Sequence, residues 1–80
     1  MKRVSVQLFA AFREAAGESS LWLDTEAATP AELFSEVCKR CPGLRLEAAS
    51  LVAVNDQMAD WESQIADGDE VLFFPPVAGG

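Results

Sequence analysis

The stretch Thr29-Pro30-Ala31-Glu32 constrains the fold of this 80-residue chain more than any other, because it marks the start of a helix. Its threonine can cap the helix, its proline suits the first helical position, and its glutamate completes a capping box. Apolar residues then recur at helical spacing until Pro42-Gly43 ends the pattern. They are Leu33, Phe34, Val37, Cys38 and Cys41. The sequence therefore predicts one helix with a single apolar stripe, running from Pro30 to about Cys41.

Two segments before this helix alternate between apolar and polar residues, which is the pattern of half-buried strands. They are residues 3–9 and residues 20–24. Because they lie close together in the sequence, the two strands are expected to form an antiparallel hairpin with a long loop. That loop has room for about one helical turn around Arg13, and Gly17 would close it.

Two apolar segments after the helix are also predicted to be strands. Leu51-Val52-Ala53-Val54 is predicted to be a buried strand that breaks at Asn55-Asp56, and Asp67-Gly68-Asp69 is predicted to form the turn before the last strand. That last strand, Val71-Leu72-Phe73-Phe74, is apolar at every position, so we expect it at the centre of the sheet, beside the first strand. Pro75-Pro76 would end it, because proline lacks the N–H that a sheet ladder needs.

The order of two strands, one helix and two strands predicts an α+β fold of the β-grasp, or ubiquitin-like, class. Its mixed sheet would carry the main helix on one face, with residues 1–74 as the domain and residues 75–80 as an extended tail. Because the helix covers one face only, Phe9 and one of Phe73 and Phe74 are expected on the other. Clustered aromatic side chains there would form an interface, unless the loops cover them.

The charge balance narrows the choice of partners. Thirteen acidic and six basic residues give a net charge of −7, which repels nucleic acid and favours a protein partner with a basic surface. No apolar run approaches membrane-spanning length, so no membrane partner is expected. Met1-Lys2-Arg3 resembles the start of a signal peptide, but Gln7 interrupts the apolar run that follows. We therefore expect a single cytoplasmic domain.

The chain lacks the residues on which most enzymes depend. It contains no histidine, and no serine or cysteine stands in a recognisable nucleophile motif, so we do not expect an enzyme by itself. Cys38-Lys39-Arg40-Cys41 is a candidate metal or redox motif, but one pair of cysteines cannot fill a zinc site. The pair also lies at the end of the predicted helix, whereas thiolates are favoured at the start of a helix. Two reduced structural thiols are the favoured interpretation. Asp67, Asp69 and Glu70 suit a turn better than a metal site, and no bound metal is predicted.

The six residues that follow the last strand have the shape of a slender tail. If extended, they span about 20 Å at roughly 3.3 Å per residue. Beyond the prolines every side chain is small or absent, in the order Val77, Ala78, Gly79 and Gly80. Such a tail can enter a narrow tunnel in another protein, whose backbone can close around the Gly80 carboxylate. That carboxylate is the candidate reactive group, and the alternative is a frayed terminus.

Two segments of the chain resemble a known family. Asp67-Gly68-Asp69-Glu70-Val71-Leu72-Phe73-Phe74-Pro75-Pro76-Val77-Ala78-Gly79-Gly80 resembles the C-terminal signature of ubiquitin-like sulfur carriers that form the small subunit of molybdopterin synthase. Leu8-Phe9-Ala10-Ala11-Phe12-Arg13-Glu14-Ala15-Ala16-Gly17 is similar to the family's opening strand and loop. The resemblance implies that Gly80 is the covalent carrier and that Gly79 keeps the tail narrow and flexible. It also implies that Pro75, Pro76 and Val77 set the exit direction.

The resemblance also implies how the tail works and what it meets. An E1-like adenylating enzyme would use ATP and magnesium to activate the Gly80 carboxylate, and a persulfide sulfur donor would convert it to a thiocarboxylate. The carrier itself would bind no cofactor. Its sulfur would pass to a pterin precursor in the large subunit of molybdopterin synthase, a heterotetramer whose catalytic residues lie on that large subunit. Phe9, Met58 and Phe74 are implied to contact the large subunit.

Three other functions compete with this one. The chain could carry sulfur for another pathway, such as that of the thiamine thiazole, although residues 73–77 are more similar to the molybdopterin branch. It could be a ubiquitin-like modifier whose Gly80 forms isopeptide bonds with lysines. The third alternative is a plain interaction domain with an inert tail.

Overall fold

A computed structural model of the chain describes residues 1–47 and 49–76. In this part of the chain a five-stranded sheet accompanies two helices, in an α+β arrangement. The elements are β1 (Lys2–Leu8), α1 (Ala10–Ala16), β2 (Ser20–Thr25), α2 (Pro30–Arg40), β3 (Leu51–Val54), β4 (Gln57–Ala59) and β5 (Glu70–Phe74). The predicted β-grasp fold is confirmed, with one more helix and one more strand than the sequence indicated.

The sheet has the strand order β2-β1-β5-β3-β4. β1 pairs antiparallel with β2 and parallel with β5, which in turn pairs antiparallel with β3. The wholly apolar last strand is therefore central and lies beside the first, as predicted. β4 extends the sheet by a three-residue hairpin arm that was not predicted. It is too short and too polar at Gln57 to produce a clear strand pattern.

The helix α2 begins as its sequence predicts. Thr29 is the N-cap, and its Oγ1 accepts a hydrogen bond of 3.2 Å from the backbone N–H of Glu32. The second half of the capping box differs from the expectation, because the Glu32 carboxylate accepts from the N–H of Ala28, at 2.9 Å, instead of from the N-cap residue. The carboxylate still satisfies a backbone donor close to the helix start, where negative charge is favourable.

The loop after β1 holds two helical turns where one was predicted. α1 ends at Ala16, and Gly17 adopts a left-handed conformation with φ of 80° while its N–H bonds to the carbonyl of Arg13 at 2.9 Å. Phe12 is buried, and its ring centroid lies 5.2 Å from that of Phe34 on α2. This contact explains why the helix persists, since it adds an apolar anchor to a short segment.

The hydrophobic core lies between α2 and one face of the sheet. Its centre is Phe34, whose ring meets that of Phe73 on β5 edge to face at 4.8 Å. Trp61 stacks on Phe73 at 5.6 Å and meets Phe34 edge to face at 5.9 Å, and its indole N–H donates to the carbonyl of Ser50 at 3.1 Å. The last strand is thus held from inside by two aromatic contacts near its end.

Candidate functional site

The face of the sheet opposite α2 carries a continuous apolar surface at the end where β5 finishes. Strand register places Leu51 opposite Phe74, and Leu72 opposite Ala53, which in turn pairs with Met58. Because side chains alternate along each strand, these residues share the face that α2 leaves uncovered. We call the partly or largely exposed members the open-face patch: Phe9, Leu51, Met58, Leu72 and Phe74.

Two aromatic rings form the part of the patch next to the tail. The rings of Phe9 and Phe74 stack with centroids 4.7 Å apart and an angle of 11° between their planes. Phe9 is 37% exposed and also serves as the N-cap residue of α1, where its carbonyl accepts from the N–H of Phe12. Phe74 is half-buried and directly precedes Pro75. The stack therefore marks the point from which the chain leaves the sheet.

The structure places the predicted contact residues Phe9, Met58 and Phe74 on this one face. Phe9 and Phe74 touch, whereas Met58 lies on β4 at the other side of the patch and is 63% exposed. Of the two interpretations of the aromatic residues, exposure on an open face is the one observed. Whether a partner binds there stays a prediction.

The prediction that residues 51–54 are buried throughout was wrong for Leu51. Val52 and Ala53 are buried, but Leu51 is 51% exposed. Its side chain lies on the same face as that of Phe74, its register partner, and therefore points away from the core. Leu51 and Leu72 are thus members of the site that the sequence analysis did not identify. The alternation of side chains along the strand was the available signal. Because Val52 faces the core, its neighbours Leu51 and Ala53 must face the opposite side of the sheet.

Met58 borders a surface cavity of about 400 Å³ at the sheet edge. The cavity is lined by Met58, Ala59, Asp60 and Ser63. The hairpin between β3 and β4 turns through Asn55 and Asp56, whose φ angles are 52° and 69°. Two successive residues with positive φ are typical of the tight two-residue turn that joins the strands of a β-hairpin.

The acidic residues before β5 act as hydrogen-bond acceptors in a turn. Asp67 Oδ1 accepts from the N–H of Arg3 at 2.7 Å, and Asp69 Oδ2 accepts from the N–H of Ala66 at 2.8 Å. Asp69 Oδ1 also accepts from the side-chain amide of Asn55 at 2.9 Å. These bonds support the structural interpretation of this segment. Within residues 1–47 and 49–76, no group of three or more cysteine, aspartate or glutamate side chains is arranged to hold a metal ion.

Cys38 and Cys41 lie in the last turn of α2 and at its C-cap, and neither is in a disulfide. Burial, and to a lesser extent the neighbouring Cys41, raises the pKa of the Cys38 thiol. A thiol with a raised pKa stays protonated at neutral pH and is a poor nucleophile. This supports the interpretation of the pair as structural thiols.

The predicted tail falls largely outside the described residues. Pro75 and Pro76 are described and half-buried. The predictions for Val77, Ala78, Gly79 and Gly80 concern residues that lie outside the described part of the chain. Neither described helix, of seven and eleven residues, is long and apolar enough to cross a membrane.

Known proteins with similar sequences and folds resemble the chain over nearly its whole length. It is 35% identical over 80 residues to the molybdopterin synthase sulfur carrier subunit of Haemophilus influenzae, covering 96% of this chain and 99% of the relative. The solution structure of small archaeal modifier protein 1 from Methanosarcina acetivorans has a TM-score of 0.83 and 27% identity, covering 100% of this chain and 98% of that one.

A third similar structure is a complex of subunits 1 and 2 of molybdopterin-converting factor from Helicobacter pylori. It matches with a TM-score of 0.66 and 26% identity, over 98% of this chain and 99% of that one. The family model described as the ThiS family matches residues 6–80, which include the terminal Gly79-Gly80 pair. With a family match over nearly all of its length and a full-length relative above 30% identity, the chain belongs to the ThiS family.

Proposed function

We propose that this chain is the sulfur carrier subunit of a molybdopterin synthase, and that sulfur travels as a thiocarboxylate at Gly80. The observation that carries the proposal is the similarity over nearly the full length to relatives with that name, together with the family match through Gly79-Gly80. The absence of histidine from the sequence agrees with a carrier that relies on other proteins for catalysis.

Activation of Gly80 must overcome the poor electrophilicity of a carboxylate. An E1-like adenylating enzyme, with ATP and magnesium, would join the carboxylate oxygen to the α-phosphate and release pyrophosphate. The terminal sulfur of a persulfide would then attack the acyl carbon and displace AMP. A second thiol would cleave the remaining S–S bond, leaving a thiocarboxylate at Gly80 and a disulfide on the donor side. Cys38 is a poor candidate for either thiol, because its raised pKa disfavours the thiolate.

The open-face patch supports the second half of the proposal, the delivery of sulfur in the large subunit. Its stacked Phe9–Phe74 pair lies at the base of the tail, so a partner that covers the patch would also receive the tail. Large exposed apolar surfaces of this kind are typical of protein interfaces. The H. pylori complex of subunits 1 and 2 shows that a similar chain assembles with a second subunit. A dithiolene product needs two sulfurs, in keeping with two carriers in a heterotetramer.

A second candidate function is protein modification. It is favoured by the full-length structural similarity to small archaeal modifier protein 1. Adenylation of Gly80 would be common to both functions. Only the acceptor of the activated acyl group would differ, since a lysine amine would take the place of the persulfide sulfur. Both reactions are expected in the cytoplasm, where thiols stay reduced.

Intact mass spectrometry of the protein tests the carrier function directly. The chain would be incubated with ATP, magnesium, a cognate adenylating enzyme and a persulfide source, and the C-terminal fragment examined for exchange of oxygen by sulfur. We expect the exchange at Gly80, and no exchange in a variant that lacks Gly80 but keeps the same circular dichroism spectrum. Absence of exchange with an enzyme of proven activity would refute the carrier function. Adducts on lysines of other proteins would favour the modifier.

A further inference from the structure

The outer edge of β4 offers backbone groups that the sheet does not use. The two-residue turn Asn55-Asp56 makes Val54 and Gln57 a hydrogen-bonded pair, so the next pair, Ala53 and Met58, does not exchange backbone bonds. The N–H of Asn55 donates to the carbonyl of Glu70 at 2.8 Å, which independently requires the backbone of Ala53 to face β5. The N–H and C=O of Met58 therefore point outward from the edge of the sheet.

The cavity beside Met58 lies on the same edge. Ser63 closes one side of it, where its hydroxyl and its N–H both donate to the carbonyl of Asp60, at 2.7 and 3.1 Å. These bonds fix the loop and leave the exposed Asp60 carboxylate available to a partner. The cavity thus combines an apolar wall from Met58 with one negative charge, which suits a long basic side chain with an aliphatic stem.

The distribution of charge along the chain also indicates a basic partner on this side. After Arg45 the sequence contains no lysine or arginine and seven acidic residues. They are Glu47, Asp56, Asp60, Glu62, Asp67, Asp69 and Glu70. The strands β3, β4 and β5 all come from this segment, so none of them contributes a basic side chain to the surface. A second copy of the chain is disfavoured at the β4 edge, because it would bring two acidic edges together.

We propose that an extended segment of the large subunit adds to the edge of β4, exchanges backbone hydrogen bonds with Met58, and places an arginine or lysine side chain in the cavity beside Asp60. This inference rests on the proposed function. The edge is continuous with the open-face patch, because the Met58 side chain belongs to the patch and its backbone to the edge. Strand addition of this kind gives affinity through the backbone and specificity through side-chain pockets.

Two charge reversals test the cavity. Asp60→Lys removes the cavity carboxylate, whereas Glu62→Lys makes the same change of charge two residues away, outside the cavity lining. Binding to the large subunit would be measured by calorimetry. We expect Asp60→Lys to weaken binding about tenfold or more, and Glu62→Lys to weaken it about threefold or less, because only the first loses a close charge pair. Equal effects of the two variants would overturn the proposal.

Hydrogen exchange tests the backbone contact without any substitution. The Met58 amide should exchange rapidly in the free carrier and slowly in its complex with the large subunit. Unchanged exchange of this amide in the complex would overturn strand addition at β4. So would its protection in the carrier alone at high concentration, since a second copy would then occupy the edge.

These outcomes are distinct from failure of the proposed function. If Gly80 is loaded with sulfur and the complex forms, but neither Asp60→Lys nor the Met58 amide responds, only the β4 contact is wrong. If the carrier is never loaded and never binds the large subunit, the proposed function itself is wrong.

Discussion

Adjacent phenylalanines on β5 should respond to the same substitution in opposite ways. Phe73 points into the core, where it is fully buried against Phe34 and Trp61. Phe74 points to the open face, where it is half-buried and stacks on Phe9. We predict that Phe73→Ala mainly destabilises the fold, whereas Phe74→Ala mainly weakens binding to the large subunit.

The magnitudes follow from burial. Truncation of a fully buried phenylalanine costs about 3–5 kcal/mol, which is a large share of the roughly 4–12 kcal/mol expected for a domain of this size. Phe74→Ala loses partial burial and one ring stack, so its cost to folding should be about 1–2 kcal/mol. In the proposed complex the exposed part of the Phe74 ring would also become buried, and its loss should cost about 2 kcal/mol of binding free energy, or roughly thirtyfold in Kd.

Urea unfolding and calorimetric titration of the same variants would check both numbers. Phe74→Leu is the matched control, because it keeps apolar volume while removing the ring stack, and it should lie between the wild type and Phe74→Ala in both assays. The assignment of faces would be refuted if Phe74→Ala destabilised the domain as much as Phe73→Ala. Unchanged affinity of a folded Phe74→Ala variant would remove Phe74 from the interface.

Three further predictions concern stability, each checked by denaturant unfolding. Asp69→Ala should cost about 2 kcal/mol, because the Asp69 carboxylate accepts from both Ala66 and Asn55, and a cost no larger than that of Glu62→Ala would contradict this. Thr29→Ala should cost about 1 kcal/mol and Thr29→Ser far less, since serine keeps the capping oxygen. Because burial raises the pKa of Cys38 above its ordinary value of 9.0, the unfolded chain loses this proton at lower pH than the folded one, so the free energy of unfolding should fall as the pH rises past 9.0. The fall should be shallower in Cys38→Ala, and equal slopes would refute the burial of this thiol.

Local signals in the sequence were sufficient for the elements that depend on local chemistry. The N-cap of α2 was predictable because the Thr29 hydroxyl bonds within its own turn. The central position of β5 was predicted from its unbroken apolar run, although only Val71 and Phe73 are fully buried and Leu72 and Phe74 are partly exposed on the open face. β4 was not predictable, since its three residues have no periodicity and depend on pairing with β3. Leu51 was misplaced because an apolar run does not reveal which of its residues face an uncovered sheet surface.

The same limitation applies to the candidate site. Alternation placed Phe9 and one of Phe73 and Phe74 on the open face, and the stack of Phe9 on Phe74 identifies Phe74 as that residue. Leu72 joins them only through the register between β5 and β3, and the cavity beside Met58 depends on how the loop at Ser63 folds back. Both are long-range properties, which no local pattern in the chain encodes.

The two faces of β5 together hold the point from which the chain leaves the sheet. Phe73 is stacked from within by Trp61, and Phe74 is stacked from outside by Phe9, so the strand that leads into Pro75 is held on both faces. A fixed base lowers the entropy that a partner must remove when it binds the tail. Under the proposed function, Gly80 must react in two active sites, first in the activating enzyme and then in the large subunit. One tail cannot enter both at once, so the two partners must take turns on the carrier. The order would then be set by the chemical state of Gly80, because its carboxylate must be loaded with sulfur before the large subunit can use it.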